Sequence, residues 1–316
     1  MYARHGSMLR VRLVAAIIAL ITVLGACTST SRNVPAPVVT ASGPVGVASF
    51  NFPESELLAE IYAQALEHAG VPVRRELDLG PRELVQPALR QGLVDVVPEY
   101  LGTALSSIAP QARVDWSDPR AVLAALRAAI APWHLVALQP AAASDQNGFA
   151  VTRATAARLK IATLSELAAV RPPVVLGGPT ECPVRPYCLA GLRQVYGLQV
   201  KRFVAFDDET QRAAALAEGV IDVAVTFTTD GQLATGRLVL LRDDRGQQPT
   251  EQVAPVVSAR ALKAYGHWLP DTLNRVSAAL DTPTLRFLNW RVGVAGKDIA
   301  AEARGWLQRH GLLADR

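Results

Sequence analysis

Short apolar runs alternate along the chain with segments in which apolar residues recur at helical spacing. The apolar run at 45–50 is followed by a helical pattern from Pro53 to about residue 69, with acidic residues in its first turn. Residues 71–79 alternate as a strand does, a second helical pattern covers 81–89, and another apolar run covers 94–97. This β-α-β-α-β order predicts a mixed or parallel sheet with helices on both faces.

The same alternation restarts after a polar crossover at 141–148. Helical and strand patterns follow one another up to residue 227, a return strand is predicted at 253–257, and the remainder of the chain is helical. The predicted fold class is therefore α/β with two lobes, lobe 1 over 44–146 and 251–316 and lobe 2 over 147–250. Two lobes joined by two crossovers leave a cleft between them, where ligands of open α/β sheets collect.

The N-terminal segment has the composition of an export signal. Basic residues as far as Arg12 precede an apolar run at 13–23, and Leu24-Gly25-Ala26-Cys27 follows. The run is shorter than the ~20 apolar residues of a membrane-spanning helix, so a signal peptide is predicted at 1–26. Leu-Gly-Ala-Cys resembles the bacterial lipobox, which favours lipidation of Cys27 over an ordinary signal peptide in which this cysteine is incidental.

Residues 27–43 are predicted to be a flexible tether. They are rich in Ser, Thr, Pro, Ala and Val, carry almost no charge and show no hydrophobic period. Acyl chains on Cys27 would anchor an otherwise soluble body to a membrane face. The sequence therefore predicts an exported globule that is anchored to the outer face of the cell membrane as a lipoprotein.

Composition and charge narrow the class of protein. Of the 316 residues, 50% are hydrophobic and 19% are charged, which excludes a disordered tail, a collagen-like repeat and a disulfide-dense miniprotein. The formal net charge is +4, and Arg4, Arg10 and Arg12 of the predicted signal contribute three of these charges. A body with a charge near +1 has no electrostatic footprint for nucleic acid, so no nucleic-acid partner is expected.

Two further cysteines, Cys182 and Cys188, have five residues between them. Outside the cytoplasm, two lone cysteines this close usually form a disulfide. A redox pair and a metal site are the alternatives, but the spacing is wider than CxxC and no histidine cluster lies nearby, so no metal is expected. Closing so small a loop removes little chain entropy, and the disulfide is expected to shape a local turn.

No sequence motif of a reaction centre is present. HExxH, GxSxG, the P-loop and a GxGxxG that opens a helix are absent from the sequence. The histidines are scattered, and each is more typical of a surface or cap position than of a catalytic base. The sequence therefore predicts a protein that is not an enzyme.

Several separate motifs resemble, in order, those of the glycine betaine/choline family of ABC-importer substrate-binding proteins. The resemblance extends from about residue 45 to residue 311. The relatives of this kind are osmoprotectant-binding lipoproteins, which agrees with Cys27. The motifs are Ser49-Phe-Asn-Phe-Pro-Glu-Ser55, Gly80-Pro-Arg-Glu-Leu-Val85, Val94-Asp-Val-Val-Pro-Glu-Tyr100-Leu-Gly-Thr103, Arg185-Pro-Tyr-Cys-Leu-Ala-Gly191 and Thr228-Thr-Asp-Gly231.

The resemblance implies a periplasmic-binding-protein type II fold and a site of aromatic rings and polar groups. A trimethylammonium group has no N–H, so ring faces select it at roughly 0.5–2 kcal/mol per ring, while cations and hydroxyls hold a carboxylate at the other end of the ligand. Tyr100 stands at the position of a cage tyrosine, Thr103 at that of a carboxylate-binding hydroxyl, and Arg185 at that of the carboxylate-binding arginine of lobe 2. Phe149 and Phe227 occupy positions that usually hold tyrosine.

Two departures from the family pattern change the charge of the expected site. Phe50 replaces the lysine of the usual Ser-Lys-x-Phe, and both Phe50 and Asn51 are expected to line the cleft. Glu251 stands where a further cage tyrosine is expected. The loss of a cation and the gain of an acid disfavour a zwitterion such as betaine. They favour a cation such as choline, or a larger polar or aromatic ligand.

The function implied is capture of a quaternary ammonium osmolyte and its delivery to the permease of an ABC importer and its ATPase. Lobe closure would follow from contacts that both lobes make with the ligand, and a monomer without a cofactor is expected. Tyr100, Thr103 and Arg185 are expected to converge on one gap between the lobes. Alternatives are a different solute on the same scaffold (a polyol, an amino-acid derivative or a phenolic compound), an exported lipoprotein enzyme, and a structural lipoprotein without a ligand.

Overall fold

The computed structural model describes residues 43–206 and 208–313. The predicted signal peptide at 1–26, Cys27 and all but the last residue of the predicted tether lie outside the described residues. Within the described part of the chain, every helix is too short or too polar to span a lipid bilayer.

Strands of the described chain form two five-stranded sheets, one in each lobe. The sheet of lobe 1 has the order β2-β1-β3-β10-β4, and the sheet of lobe 2 has the order β7-β6-β8-β5-β9. The two sheets therefore share one topology. The strands are β1 (Val45–Ala48), β2 (Val73–Glu76), β3 (Val96–Tyr100), β4 (Leu135–Ala137), β5 (Asn147–Thr152), β6 (Val174–Gly178), β7 (Val200–Ala205), β8 (Val223–Phe227), β9 (Leu238–Leu241) and β10 (Val253–Ser258).

The antiparallel strand of each sheet is the one that arrives from the other lobe. β5 follows the first crossover, 138–146, and is antiparallel to β8 and β9. β10 follows the second crossover, 242–252, and is antiparallel to β3 and β4. β1 pairs in parallel with β2 and β3, as β6 does with β7 and β8. Each crossover therefore runs directly into a central strand of the lobe that it enters.

Helices connect the strands and cover the sheets. Four single turns of other helix types accompany them, at Ala131–Trp133, Leu192–Tyr196, Gly231–Thr235 and Trp290–Val294. The α-helices are α1 (Pro53–His68), α2 (Arg82–Arg90), α3 (Leu101–Ile108), α4 (Pro119–Ile130), α5 (Arg153–Leu159), α6 (Leu164–Ala169), α7 (Leu189–Gly191), α8 (Glu209–Ala217), α9 (Ala259–Tyr265), α10 (Trp268–Ala279), α11 (Thr282–Asn289) and α12 (Ile299–Arg309).

The helix α3 was not predicted from the sequence, although α1 begins at Pro53 as predicted. α3 starts immediately after β3 and contains Gly, Thr and Ser, which are weak helix formers. The second crossover supports its first turn, because Leu101 N donates to Gln252 O at 3.1 Å and Gly102 N donates to Thr250 O at 3.0 Å. A tertiary contact thus stabilises a helix that the local sequence does not specify.

Each lobe has its own hydrophobic core. In lobe 1, Tyr62 of α1 and Trp306 of α12 are among the largest fully buried side chains, and the helices after β10 contribute to the same core. In lobe 2, Phe149 of β5 and the disulfide-linked Cys182 and Cys188 are buried together. The chain after the second crossover therefore packs on lobe 1.

Asp95 links three segments of lobe 1. The carboxyl group accepts from Gly46 N of β1 at 3.0 Å and from Ser258 Oγ at the end of β10 at 2.6 Å. The more exposed Arg260 also donates to both carboxylate oxygens at 2.7 Å. Gly46 and Ser258 are buried, so without Asp95 their N–H and hydroxyl groups would have no water to bind instead.

Replacement of Asp95 is expected to destabilise lobe 1. Asp95→Ala should lower the free energy of unfolding by about 2–4 kcal/mol, since it leaves the buried Gly46 N–H and Ser258 hydroxyl without their acceptor. Urea unfolding measures the change. Glu83→Ala, at an exposed position of α2, is the control and should change stability by less than about 0.5 kcal/mol. Equal stability of the two variants would contradict the role of Asp95.

Candidate functional site

A cavity of about 540 Å³ is lined by both lobes and by both crossovers. Tyr100, the last residue of β3, and Phe227, the last residue of β8, face it from the two sheets. Asp145 of the first crossover and Glu251 of the second complete the wall where the lobes join. The cavity therefore lies at the carboxyl ends of parallel strands, where open α/β sheets bind ligands.

Four aromatic residues line this cavity, Phe52 and Tyr100 from lobe 1 and Tyr187 and Phe227 from lobe 2. The ring centroids of Phe52 and Tyr100 are 6.1 Å apart. Phe52 and Phe227 are 37% and 38% exposed, which is high for phenylalanine. Exposed ring faces at a cavity attract a cation through the ring quadrupole.

The carboxyl groups of Glu54, which is buried, and of Asp145, which is half-buried, lie in the cavity wall. Glu54 accepts from Tyr100 Oη at 2.7 Å and from Asn289 Nδ2, and Asp145 accepts from Thr229 Oγ1 at 2.6 Å. Among the described residues, no Lys, Arg or His forms an ion pair with either carboxyl. Burial raises the pKa of Glu54, and burial followed by the nearby Glu54 charge raises the pKa of Asp145 well above its ordinary value.

The hydroxyl of Tyr100 is a hydrogen-bond donor at this wall. Burial, followed by the negative charge of Glu54, raises the pKa of Tyr100 well above its ordinary value. The phenol therefore stays protonated at neutral pH, and its proton is directed to Glu54 Oε1.

Glu251 lies against the first turn of α3. Its carboxylate accepts from Thr103 N at 3.0 Å and from Thr103 Oγ1 at 2.8 Å. Gly102 permits this approach, because a Cβ there would lie 2.6 Å from Thr250 O and 2.9 Å from Glu251 Oε1. Burial raises the pKa of Glu251 to about 7, although the Thr103 hydrogen bonds act in the opposite direction.

Arg82 is the basic side chain among the described residues that line this cavity. It donates to both carboxylate oxygens of Glu99, at 2.5 and 2.6 Å. Its guanidinium carbon also lies 4.7 Å from the ring centroid of Phe50. The charge of Arg82 is therefore already compensated within lobe 1, whereas the carboxyls of Glu54 and Asp145 have no such partner.

Four of the residues predicted from the sequence line this cavity: Tyr100, Thr103, Phe227 and Glu251. Arg185 does not. It lines a neighbouring cavity of about 460 Å³, which shares Thr103 and Glu251 with the first. The guanidinium of Arg185 is exposed and makes no hydrogen bond or ion pair with the described residues.

The structure places three other predicted ligand-binding residues outside the lining of both cavities. Phe149 is 1% exposed in the core of lobe 2, because β5 pairs with strands on both sides and its inward face packs against the hydrophobic core. Phe50 is also buried and lies beneath Phe52, at a centroid separation of 5.9 Å, so it supports the wall without lining the cavity. Asn51 is exposed and lines neither cavity.

The loop between Cys182 and Cys188 places Tyr187 at both cavities. Two side chains of the second crossover bind the backbone of this loop, since Gln247 Nε2 donates to Pro186 O and Gln248 Nε2 donates to Tyr187 O, each at 3.1 Å. The loop thereby forms a continuous wall with the crossover.

The C-terminal part of lobe 1 contacts lobe 2 directly. Asn289 Nδ2 donates to Thr229 O at 2.9 Å, and Arg286 donates to Thr228 O at 2.6 and 3.0 Å. A Cβ at Gly231 would lie 2.6 Å from Trp290 N, so the backbones approach closely. Asn289 also donates to Glu54, which couples this contact to the carboxyl wall.

Sequence analysis missed several residues of the site. Tyr187 lay inside a quoted motif, but only its neighbour Arg185 was selected. Glu54 was interpreted through the helix dipole alone, and Asp145 and Asn289 had no local signal. Glu54 and Tyr187 are an acid and an aromatic residue within the family motifs, and this was the signal that could have identified them. Asp145 and Asn289 required the tertiary structure.

Residues 43–309 match the family model described as "Substrate binding domain of ABC-type glycine betaine transport system". The chain is 29% identical over 281 residues to the glycine betaine-binding protein YehZ of Escherichia coli (strain K12), covering 86% of this chain and 92% of that protein. It is 25% identical to the ergothioneine transport permease/ergothioneine binding protein EgtU of Helicobacter pylori (strain G27), covering 85% of this chain and 48% of that protein.

Solved structures agree with these relationships. Apo YehZ from E. coli has a TM-score of 0.76 at 28% identity, covering 86% of this chain and all of that one (100%). A structure of a glycine betaine/carnitine/choline ABC transporter protein has a TM-score of 0.78 at 22% identity, covering 85% of this chain and 99% of that one. The predicted two-lobed α/β fold of the periplasmic-binding type II class is confirmed by these matches.

The raised pKa of Glu251 predicts a pH-dependent stability. In the folded protein the carboxyl group of Glu251 keeps its proton up to about pH 7, whereas the ordinary pKa of a glutamate is 4.5. The contribution of this group to stability is therefore full below about pH 4.5 and is lost as the pH rises through 7. Glu251→Gln should remove up to about 3 kcal/mol of this fall. Denaturant unfolding from pH 4.5 to 8 measures it, with Glu83→Gln as the control. An unchanged slope in Glu251→Gln would contradict the prediction.

Proposed function

The chain belongs to the family of substrate-binding domains of ABC-type glycine betaine transport systems, and we propose that it captures a quaternary ammonium cation for import. As a member of this family it is a solute-binding protein and not an enzyme. It works outside the cytoplasm with the permease of an ABC importer for solutes of the glycine betaine, carnitine and choline type.

The observation that carries the proposal is a pair of carboxyl groups without an ion-pair partner among the described residues, beside exposed aromatic rings. Glu54 and Asp145 have no ion-pair partner among the described residues, while Phe52 and Phe227 present ring surface to the same cavity. A quaternary ammonium group binds ring faces without needing to donate hydrogen bonds. Its charge also compensates carboxylates that would otherwise be costly to bury.

The same electrostatics favour a cation over a short zwitterion. Thr103 is the residue expected to bind a ligand carboxylate, but its N–H and hydroxyl already donate to the carboxylate of Glu251. The guanidinium of Arg82 forms an ion pair with Glu99. A carboxylate in the main cavity would therefore lie among like charges without a free cation. Arg185 lines the neighbouring cavity and not the main one.

Capture would proceed by lobe closure around a cage of rings. Phe52 and Tyr100 belong to lobe 1, and Tyr187 and Phe227 belong to lobe 2, so a bound cation contacts both lobes only when the cleft is closed. Contacts that exist in one state alone shift the equilibrium toward that state. The closed form is then the one presented to the permease.

We also propose that the protein is exported and anchored to the membrane by a lipid. The signal peptide at 1–26 would be removed, Cys27 would carry the lipid, and residues 27–43 would tether a monomeric body to the outer face of the membrane. A tether of this kind keeps the binding lobes near the permease.

A larger betaine is a second candidate solute. The neighbouring cavity shares Thr103, Tyr187 and Glu251 with the first, and its lining includes Arg185, whose guanidinium has no ion-pair partner among the described residues, so a zwitterion with widely separated charges could place its carboxylate there. The relative from H. pylori is named as an ergothioneine-binding protein. A thermal-shift panel of choline, glycine betaine, carnitine and ergothioneine separates these candidates.

Choline is expected to bind at least about tenfold more tightly than glycine betaine, a difference of about 1.4 kcal/mol. The physical reason is repulsion between the betaine carboxylate and the carboxyls of the main cavity. Isothermal titration of the exported body with each compound measures the ratio. Tighter binding of betaine would overturn the preference, and binding of none of the panel would overturn the proposed function.

Loss of one ring should weaken binding. Phe227→Ala is expected to reduce choline affinity about two- to thirtyfold, the range for one cation–π contact. Phe287→Ala is the matched control, because Phe287 is 46% exposed on α11 but does not line the cavity. Equal losses in the two variants by titration calorimetry would show that Phe227 is not part of a cage.

A further inference from the structure

Glu251 lies where the two cavities of the cleft meet. Both cavities are lined by Thr103, Tyr187 and Glu251, and Arg185 lines the neighbouring cavity alone. A solute that keeps its ammonium group among the rings of the main cavity and extends toward Arg185 therefore passes Glu251. The charge of this side chain acts on any solute that reaches from one cavity toward the other.

Thr103 holds the carboxyl group of Glu251 at this boundary. Thr103 is exposed, and its N and Oγ1 donate to the two carboxylate oxygens at 3.0 and 2.8 Å. Both of these donors are neutral, and Glu251 forms no ion pair within the part of the chain that the structure describes. An ionised Glu251 therefore keeps its negative charge at the boundary.

The charged and titratable groups around Glu251 come from both lobes and the first crossover. Arg82 and Glu99 form an ion pair, so their charges largely cancel. Arg185 attracts a carboxylate and Asp145 repels one, so the charge of Glu251 decides the balance between them. The groups are Arg82 of α2, Glu99 of β3, Asp145 of the first crossover, and Glu181, Arg185 and Tyr187 of residues 181–187.

Glu251 changes its charge near neutral pH. Burial raises its pKa to about 7, and the residue is 8% exposed, so water screens its charge only weakly. A charge also acts across several ångströms and needs no direct contact with the solute. A solute carboxylate at the boundary is therefore repelled above pH 7 and tolerated below it.

We propose that Glu251 is the specificity-determining residue of the cleft: its ionised carboxylate excludes solutes that bear a carboxylate, and its protonated form admits them. This inference rests on the proposed function. It adds a regulation that the rings do not supply, because choline and glycine betaine present the same trimethylammonium group to them. When a zwitterion binds above pH 7, the Glu251 carboxylate takes one proton from the buffer.

The pH dependence of the wild-type protein tests the proposal. At pH 8, choline should bind at least about tenfold more tightly than glycine betaine, and at pH 6 this ratio should be about three- to tenfold smaller. A single group with a pKa of about 7 changes its ionised fraction about tenfold over this interval. Titration calorimetry measures both affinities. A ratio that stays constant from pH 6 to pH 8 would overturn the proposal.

The heats of binding in two buffers measure the proton itself. Titrations at pH 8 in phosphate and in Tris, which differ in their ionisation enthalpy, give the number of protons taken up with each solute. Uptake with glycine betaine should exceed uptake with choline by about 0.5–1 proton, because only betaine brings a carboxylate to Glu251. Equal uptake with the two solutes would contradict the proposal.

Glu251→Gln removes the charge and keeps an oxygen that can accept from Thr103. The ratio at pH 8 should fall to less than about threefold and should no longer depend on pH. Glu209→Gln is the matched control, because Glu209 lines the main cavity alone, has a side chain that is 53% exposed and lies 3.8 Å from Arg212. This control should change the ratio by less than about twofold.

The outcomes separate this inference from the proposed function. Equal changes of the ratio in Glu251→Gln and Glu209→Gln would show that the total charge of the cavity sets the selectivity, which overturns the role of Glu251. A ratio independent of pH, with choline still bound, overturns the inference and leaves capture of quaternary ammonium cations standing. Binding of neither solute at either pH overturns both. Circular dichroism verifies that each variant is folded.

Discussion

Carboxyl groups that lie in the cleft without an ion-pair partner among the described residues are the constraint on which the cleft depends. Glu54, Asp145 and Glu251 come from a helix of lobe 1 and from the two crossovers, and all face one cavity. Burial raises the pKa of each of these carboxyls, because the charged form is poorly solvated there. Neutral donors such as Tyr100 and Thr103 hydrogen-bond the carboxyls but bring no positive charge. A cation in the cleft supplies what the chain itself lacks.

The pairing of the strands brings these carboxyl groups and their hydrogen-bond donors close together. β10 pairs with β3 so that Val253 is opposite Tyr100, which places the end of the second crossover beside the first turn of α3. The absence of a side chain at Gly102 allows that crossover to approach. Since the same crossovers connect the lobes, any change in lobe orientation passes through segments that carry Asp145 and Glu251. The same two segments thus connect the lobes and form the wall of the cleft.

Individual residues show how far sequence reasoning extends. Tyr100 and Thr103 were selected from a local motif, and the structure places both at the cavity. The motif lies at the end of β3, so its residues lie at the carboxyl end of that strand, where the cavity is. Phe149 was selected in the same way, yet its ring is buried in the hydrophobic core of lobe 2. Arg185 lies on the loop beside Tyr187 but opens onto the neighbouring cavity. The residue type at a motif position therefore does not specify which cavity its side chain lines.

The sequence by itself determined the alternation of strands and helices, the two-lobed α/β class and the family, because these depend on periodicity and motifs carried by residues close in the chain. Only the tertiary structure decided which carboxyls meet and that Glu251 binds Thr103. These features depend on segments brought together from distant parts of the chain. Burial and hydrogen bonding between such segments are set by packing, which no local pattern encodes.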